Sequence, residues 1–299
     1  MPVASDELNR IIHADNLAVL PTLPDGGFTL VYLDPPFNTG RMQSRRPTRH
    51  VRLAATDDPE PAASGTITGF AGKRYERIRG DLLRYDDRFD DYWGFLEPRL
   101  VEAWRLLADD GTLYLHLDYR EAHYAKVLLD ALFGRECFLN ELIWAYDYGA
   151  KAKRKWPTKH DTILVYVKNP ARYWFDSTAV DREPYMAPGL VTPEKAELGK
   201  LPTDVWWHTI VSPTGREKTG YPTQKPEGIL RRIVQASTRE GDWVLDFFAG
   251  SGTTGAVAAT LGRRFVLIDE NAEAIAVMRG RFTDVSGVVF EQGIAPADA

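Results

Sequence analysis

The sequence has very little cysteine and no long apolar run. Only one of its 299 residues, Cys137, is a cysteine, so an internal disulfide is excluded, and the six histidines are not paired at metal-site spacing. No uninterrupted apolar stretch approaches the ~20 residues of a transmembrane helix. The first residues, MPVASDELNR, lack the basic and apolar parts of a secretory signal. These absences predict a cytoplasmic protein with no bound metal and no membrane partner.

An excess of basic residues is also missing, since the formal net charge is -5. A negative net charge argues against uniform affinity for nucleic acid, but phosphate is held by clustered cations rather than by their sum. Two clusters are present: Arg41, Arg45, Arg46, Arg49 and Arg52 form one, and Lys151, Lys153, Arg154, Lys155 and Lys159 form the other. One charged run is typically a solvated face. Two such runs in one chain favour a functional role for them, such as holding phosphate.

Apolar residues alternate between the spacing of strands and the spacing of helices. The predicted strands are FTLVYLD, TLYLHLD, FLNELIWAY and TILVYVK, and the predicted helices are YWGFLEPRLVEAWRLL, EAHYAKVLLDALF and GILRRIVQAST. This alternation predicts an α/β fold, with a mostly parallel Rossmann-like sheet and helices on both faces. Residues 41–80 contain Arg, Thr, Pro, Gly and Ser in irregular order, which predicts a long loop.

A carboxylate follows one predicted strand in LVYLDPPFNTG, residues 30–40. Pro35 and Pro36 cannot donate to a sheet, so the strand has to end at Asp34. The carboxyl ends of strands are where open α/β sheets bind ligands, which makes Asp34 a candidate functional residue. The alternative is a turn in which Asp34 caps the chain and Phe37 fills the core.

A glycine turn lies in DFFAGSGTTG, and no lysine follows it, so a P-loop for nucleoside triphosphates is disfavoured. Gly250, Gly252 and Gly255 match G-x-G-x-x-G, and Asp269 ends the next predicted strand about 20 residues later. Glycines let the backbone approach a ligand, and a helix beginning near Thr253 directs unpaired N–H groups towards it. We therefore expect a side chain at Gly252 to fill the ligand's space. A packing turn is the alternative.

These motifs together resemble the beta class of amino-methylating DNA methyltransferases that use S-adenosylmethionine. DPPF is similar to their catalytic motif and DFFAGSGTTG to their cofactor loop, and the catalytic motif comes first, in the circularly permuted order of that class. TQKP, HADNLAVLPTLPDG, LHLDYREAHYAKVLLDALFG and KHDTILVYVK extend the resemblance over nearly the whole chain. It implies a catalytic half at 1–147, a loop-rich target-recognition insertion at 148–222 and a cofactor-binding half at 223–299.

The resemblance also implies roles for individual residues. Asp34 and the Pro35 carbonyl would accept hydrogen bonds from the target amine, Pro36 would fix their geometry, and Phe37 would stack on the base. Asp269 would hold the cofactor ribose, Asp15 would lie near its adenine, and Thr223 and Lys225 near its amino-acid end. The full implied cofactor set is Asp15, Thr223, Lys225, Asp246, Phe248, Gly250, Gly252, Thr253, Thr254 and Asp269.

By this resemblance the chain methylates N6 of a flipped-out adenine in duplex DNA, since Asp rather than Ser begins DPPF. N4-cytosine methylation is the near alternative, and a nicotinamide oxidoreductase or a non-catalytic DNA-binding protein is more distant. Cys137 does not follow a proline, so it does not resemble the nucleophile of cytosine C5 methyltransferases. The resemblance leaves two further partners open, a second copy of the chain and a companion restriction endonuclease.

Overall fold

Strands and helices alternate along the chain in the computed structural model, which describes residues 8–38, 92–149, 151–212 and 214–293 and the backbone of short strands between 41 and 87. The strands are β1 (Asn9–His13), β2 (Phe28–Leu33), β3 (Arg41–Arg45), β4 (Thr48–Arg52), β5 (Thr66–Thr68), β6 (Arg74–Arg79), β7 (Leu83–Asp87), β8 (Leu107–Leu117), β9 (Phe138–Ala145), β10 (His160–Val167), β11 (Val205–Trp207), β12 (Trp243–Asp246), β13 (Arg264–Asp269) and β14 (Val288–Gln292). The helices are α1 (Asn16–Val19), α2 (Tyr92–Leu106), α3 (Ala122–Phe133), α4 (Pro193–Leu198), α5 (Glu227–Ser237), α6 (Thr253–Thr260) and α7 (Ala272–Arg281).

One large sheet organises the described chain, with nine strands in the order β11-β9-β10-β8-β2-β12-β13-β1-β14. Its neighbouring strands are parallel except at β10, which runs antiparallel to both β8 and β9. The mostly parallel Rossmann-like sheet predicted from the sequence is therefore confirmed. Every residue of β2 is buried, as expected of a central parallel strand covered on both faces.

Helices cover the two faces of this sheet. On one face, Val31 and Leu33 of β2 join a core cluster that contains Leu96 of α2. On the other face, Leu30 and Tyr32 join a cluster that contains residues of α5, α6 and α7. Successive side chains of β2 thus point to opposite cores, which is the period of two that a strand imposes.

The sheet has a topological switch point between β2 and β12. These neighbours are parallel, with Leu30 beside Val244 and Val31 beside Leu245. The chain proceeds from β12 through α6 to β13 on one side, and from β2 through α2 to β8 on the other. The helices of these two connections pack in different core clusters. Such a switch point opens a crevice at the carboxyl ends of the strands, where α/β proteins bind ligands.

Residues 40–88 form a compact unit of their own, separate from the unit of residues 1–39 and 89–299. In this unit β3 pairs with β7, and β6 pairs with β4 and β5, all antiparallel. The prediction of a long loop at 41–80 is therefore wrong wherever these strands lie. The sequence RYERIR of β6 explains the error, because a strand rich in arginine lacks the apolar alternation by which strands are predicted.

The predicted target-recognition region at 148–222 contains β10, which is buried over nearly its whole length in the large sheet. The predicted boundaries therefore cut through the main fold rather than around an insertion. None of the helices in the described ranges is long and apolar enough to cross a membrane.

Candidate active site

Asp34 stands at the carboxyl end of β2, beside the switch point. Its side chain is only 15% exposed, and its Oδ2 lies 2.5 Å from Nζ of Lys225, which is 12% exposed. The other oxygen, Oδ1, is buried and has no hydrogen-bond partner among the described residues. Buried acceptors without a partner are rare because their desolvation is not compensated. Oδ1 is therefore an unsatisfied acceptor, to which a donor of a bound ligand could be matched.

The rest of the DPPF motif is held by contacts from other elements. The Lys225 ammonium lies 4.9 Å from the centre of the half-buried Phe37 ring. Asn38, in a left-handed conformation with φ 49°, donates from Nδ2 to Glu121 Oε1 at 2.9 Å. The loop after β2 is thus joined to the start of α3.

A buried polar network lies beside the motif and centres on His116, whose ring lies 5.9 Å from that of Phe37. The Tyr32 hydroxyl is hydrogen-bonded to His116 Nδ1 at 2.8 Å, and His116 Nε2 lies 3.2 Å from Asp161 Oδ2. Tyr146 donates to Asp161 Oδ1 at 3.0 Å. Burial raises the pKa of Tyr32 well above its ordinary value, and the nearby carboxylates add to the effect. Sequence reasoning missed Asp161, although a carboxylate at the start of an apolar strand is a usable signal.

Burial alone would raise the pKa of Asp161, but hydrogen bonds from His116 and Tyr146 and the charge of Lys225 bring it below its ordinary value. The network therefore keeps a charged carboxylate on the same side of the sheet as Asp34.

Asp246, at the end of β12, braces the turn that follows it. Its Oδ1 accepts from the Phe248 backbone N–H at 3.0 Å, and its Oδ2 accepts from the Thr254 hydroxyl at 2.6 Å. Burial raises the pKa of Asp246 to about 7, even though these hydrogen bonds oppose the shift. Both oxygens are committed to the chain, so Asp246 fixes the start of α6.

The glycines of the turn serve packing as much as access. Gly252 has a φ of 72°, and a Cβ there would lie 2.8 Å from Met278 Cγ and 2.9 Å from Phe282 Cε2. The expectation that a side chain at Gly252 fills the ligand's space is therefore wrong, because it would enter the core beneath α7. At Gly255 a Cβ would lie 2.7 Å from Leu267 Cδ1, so this glycine permits the close approach of α6 to β13.

Asp269, at the end of β13, faces the same turn. Its Oδ2 accepts from the Gly250 N–H at 2.7 Å and its Oδ1 from the Asn271 N–H at 2.9 Å. Burial raises the pKa of Asp269 above its ordinary value. A carboxylate oxygen can accept more than one hydrogen bond, so Asp269 keeps capacity for ligand hydroxyls.

Asp15 follows β1, whose last residue His13 is in register with Asp269. Its Oδ1 accepts from the Leu17 N–H at 3.0 Å and lies 3.3 Å from Arg99 Nη2, while 44% of its side chain is exposed. The strand ends of β2, β12, β13 and β1 thus bring predicted residues to one edge of the sheet.

Arg99 and Phe95 of α2 reach this edge and were not predicted. The Arg99 guanidinium lies 3.9 Å from the centre of the Phe95 ring, and its Nε donates to Asn16 Oδ1 at 2.7 Å. The Phe95 ring lies 6.0 Å from that of Phe248, a predicted cofactor residue. An arginine among apolar residues of a helix gave no periodic signal for this arrangement.

The TQKP segment joins the two sides of the crevice. The Thr253 hydroxyl donates to the Lys225 carbonyl at 3.2 Å, while the Lys225 ammonium reaches Asp34. Thr223 lies exposed on the same segment. Arg281, which sequence reasoning missed, donates to the Ser251 carbonyl at 3.3 Å and to Glu227 Oε1 at 2.6 Å. Lys225 thus contacts Asp34 through its ammonium and the start of α6 through its carbonyl.

Residues 28–279 match the family model described as DNA methylase. DNA adenine methyltransferase YhdJ of Escherichia coli (strain K12) is 30% identical over 90% of this chain and 81% of its own length. The chain belongs to the DNA methylase family. Type II methyltransferase M2.LlaDCHI of Lactococcus lactis subsp. cremoris is 47% identical, covering 94% of this chain and 91% of its own. The predicted resemblance to amino-methylating DNA methyltransferases is confirmed at the level of the family.

Solved structures of DNA methyltransferases share the fold of this DNA methylase. The M1.HpyAVI-SAM complex has a TM-score of 0.57 at 20% identity, covering 91% of this chain and 98% of its own. PvuII DNA methyltransferase, described as cytosine-N4-specific, has a TM-score of 0.61 at 15% identity, covering 95% and 89%. At these identities the similarity establishes the architecture and leaves the target base open.

Proposed function

We propose that this DNA methyltransferase transfers a methyl group from S-adenosylmethionine to N6 of an adenine flipped out of duplex DNA. The observation that carries the proposal is Asp34 Oδ1, a buried acceptor without a partner among the described residues, at the strand end beside the switch point. The base has to leave the helix to reach such a crevice.

The chemistry requires an acceptor at this position. The lone pair of an exocyclic amine is delocalised into the purine ring, so the amine is a poor nucleophile. When its N–H groups donate to Asp34 Oδ1 and the Pro35 carbonyl, a tetrahedral nitrogen is favoured and its lone pair is freed to attack the methyl carbon. The N–C bond would form as the S–C bond breaks, which would leave a neutral thioether, and one amine proton would be lost through the hydrogen bond to Asp34 Oδ1. Acceptors that are fixed in advance cost little reorganisation during the reaction. Phe37 stacks on the flipped base and returns part of the unstacking energy.

The residues of the crevice fit the proposed cofactor. When bound, S-adenosylmethionine supplies an electrophilic methyl group on a sulfonium. Asp269 would accept from the ribose hydroxyls through the capacity that its backbone hydrogen bonds leave. Asp15 and Phe248 would border the adenine, with Phe95 beside Phe248. The remaining residues implied for the cofactor surround the turn before α6: Thr223, Lys225, Asp246, Gly250, Gly252, Thr253 and Thr254.

Adenine is proposed over cytosine on two grounds. Asp rather than Ser precedes the two prolines, and YhdJ is named a DNA adenine methyltransferase. N4-cytosine methylation is the second candidate, since PvuII DNA methyltransferase has the same fold and is described as cytosine-N4-specific. Both reactions use the same acceptors, so only the product separates them.

The basic loop between β9 and β10 supports duplex DNA as the substrate. Residues 151–157 are exposed, and Lys155 Nζ lies 5.5 Å from the centre of the Tyr119 ring. Tyr119 follows β8, the parallel neighbour of β2, so this loop lies at the edge of the sheet that carries Asp34. We propose that this loop holds phosphate, and that 148–222 reads the site together with the 41–80 segment.

A Type II relative extends the proposal to a companion restriction endonuclease at the same site, and a second copy of the chain is the other candidate partner. The first is tested by expressing the product of a neighbouring gene with and without this chain. A companion endonuclease should cut host DNA that is unmethylated and leave the methylated DNA intact. Sedimentation of the chain with and without duplex tests the second.

The chain expressed in a methylation-free bacterial host tests the reaction itself. Methylome sequencing and mass spectrometry of digested DNA should give N6-methyladenine at one short sequence. If the product is N4-methylcytosine, the target base is cytosine but the proposed acceptors of the amine stand. A product of 5-methylcytosine would overturn the mechanism. Calorimetry should detect S-adenosylmethionine binding, and binding of NAD instead would overturn the cofactor.

A further inference from the structure

The Lys225 side chain is the charged contact of Asp34, and the fold sets its position. The segment before it is fixed by Gln224, which is buried, accepts from the Thr219 N–H at 2.8 Å and donates to the Glu217 carbonyl at 2.6 Å. The Lys225 carbonyl accepts from Thr253, at the start of α6. A lysine anchored on both sides presents its ammonium to Asp34 with little of the freedom of a surface lysine.

The two oxygens of the Asp34 carboxylate have different partners. Oδ2 is occupied by the Lys225 ammonium at 2.5 Å, and Oδ1 is left without a partner among the described residues. A carboxylate held at one oxygen has one orientation about its side-chain torsion, whereas an unheld carboxylate samples several. Reacting groups have to be held close to their productive geometry for the rate to benefit.

Lys225 also decides the charge around Asp34. Three other described groups interact electrostatically with Asp34: the Tyr32 phenol of the same strand, the Asp246 carboxyl of β12 and the Tyr221 phenol of the loop before α5. Those groups are neutral or negative, whereas the Lys225 ammonium is a cation in direct contact with the carboxylate. A largely buried carboxylate without a compensating cation becomes protonated more readily.

We propose that Lys225 is a positioning residue for methyl transfer, which holds the Asp34 carboxylate in one orientation through Oδ2 so that Oδ1 accepts the target amine. This inference rests on the proposed function of Asp34. It adds a second role to the expected approach of Lys225 to the amino-acid end of the cofactor. An ammonium has three donors, so the two roles are compatible.

The test is single-turnover methyl transfer, measured from pH 5.5 to 9 with saturating S-adenosylmethionine. The substrate is an unmethylated duplex that contains the recognition sequence found by methylome sequencing. Lys225→Met should lower the rate about 10²- to 10³-fold. It should also move the acidic limb of the rate profile to higher pH, because without the neighbouring cation Asp34 is protonated more readily, and a carboxyl group is a weaker acceptor for the amine than a carboxylate. Lys225→Arg keeps the positive charge. It should bring the acidic limb of the rate profile back to the wild-type pH and restore part of the rate.

Lys126→Met is the matched control, because Lys126 pairs with Asp130 at 2.7 Å on α3, outside the crevice. It should change neither the rate nor the limb. Lys225→Gln, which keeps an N–H donor of similar length, serves if Lys225→Met does not fold, and it should also shift the limb. An unshifted limb in the uncharged Lys225 variants, with a full rate once the cofactor is saturating, would overturn the positioning role and leave the proposed function intact. A wild-type chain that gives no methylated DNA would overturn both.

Discussion

Three aspartates, Asp34, Asp246 and Asp269, lie at the ends of neighbouring strands, and Asp34 differs from the other two in its hydrogen bonds. Asp246 and Asp269 have both oxygens bonded to the protein, and each accepts from the backbone N–H two residues further on, Phe248 and Asn271. Asp34 has one oxygen on Lys225 and one without a partner among the described residues. The protein thus supplies a hydrogen bond to every carboxylate oxygen of Asp246 and Asp269, whereas it leaves one oxygen of Asp34 for another donor.

The cause of this difference lies in the residue two positions after each aspartate. For Asp34 that residue is Pro36, which has no N–H, and Pro35 has none either. The turn that satisfies Asp246 and Asp269 from their own backbone is therefore denied to Asp34. The two prolines do more than end the strand, because they keep a carboxylate oxygen available for a ligand.

Replacing Asp34 tests the comparison most severely. Asp34→Ala should lower methyl transfer by about 10³-fold or more, because the acceptor for the amine is removed. Cofactor affinity by calorimetry should stay close to that of the wild type. Asp25→Ala, at an exposed aspartate paired with Arg105, is the control and should keep full activity. An equal drop in cofactor binding and in rate for Asp34→Ala would contradict the division between the two sides.

Replacing Asp246 should instead affect stability and its dependence on pH. Because its pKa rises to about 7 on folding, the folded state binds more protons than the unfolded state between about pH 4 and 7. The extra proton on folded Asp246 therefore adds to the free energy of unfolding at low pH, and this stabilisation is lost as the pH rises through 7. The stability difference between wild type and Asp246→Asn should fall by about 2 to 4 kcal/mol from pH 5 to 8, measured by urea unfolding. A difference that does not vary with pH would show that Asp246 is ionised throughout.

Giving Asp34 the missing N–H sharpens the comparison further. Pro36→Ala supplies a donor two residues after Asp34, so Oδ1 can be satisfied by the chain, as in Asp246 and Asp269. We expect single-turnover transfer to fall about tenfold, which is about the value of one net hydrogen bond that the substrate must now displace. Pro21→Ala, in the turn after α1, is a control for removing a proline elsewhere. If Pro36→Ala transfers methyl groups at the wild-type rate, the missing N–H of Pro36 is not what keeps Asp34 Oδ1 available.

The smallest effect should come from outside the crevice. Neutralising Lys153, Arg154 and Lys155 together should weaken binding to all duplexes and flatten the salt dependence, by about 0.9 in slope for each DNA phosphate that the variant no longer neutralises. The methylated sequence should not change. Filter binding from low to moderate salt measures the slope, and a slope equal to that of the wild type would mean that another surface holds the phosphates.

Much of the fold was predictable because its signals are local. The strand FTLVYLD, the helix of GILRRIVQAST and the glycine turn were found from periodicity and backbone rules, and the structure confirms all three as elements. The strands β3, β4 and β6 were missed because their sequences are rich in arginine and carry no clear apolar alternation. Trp206 is buried whereas Trp207 is 69% exposed, since neighbouring residues of a strand face opposite ways.

The sequence by itself determined the family, the order of its motifs and the end of the strand at Asp34, because proline geometry and apolar periodicity act within a few residues. Only the tertiary structure decided which groups meet Asp34 and His116. Lys225 and Asp161 reach them from distant parts of the chain, through the order of β10, β8, β2 and β12 in the sheet. Contacts between buried charges depend on that order, which no local rule of spacing encodes.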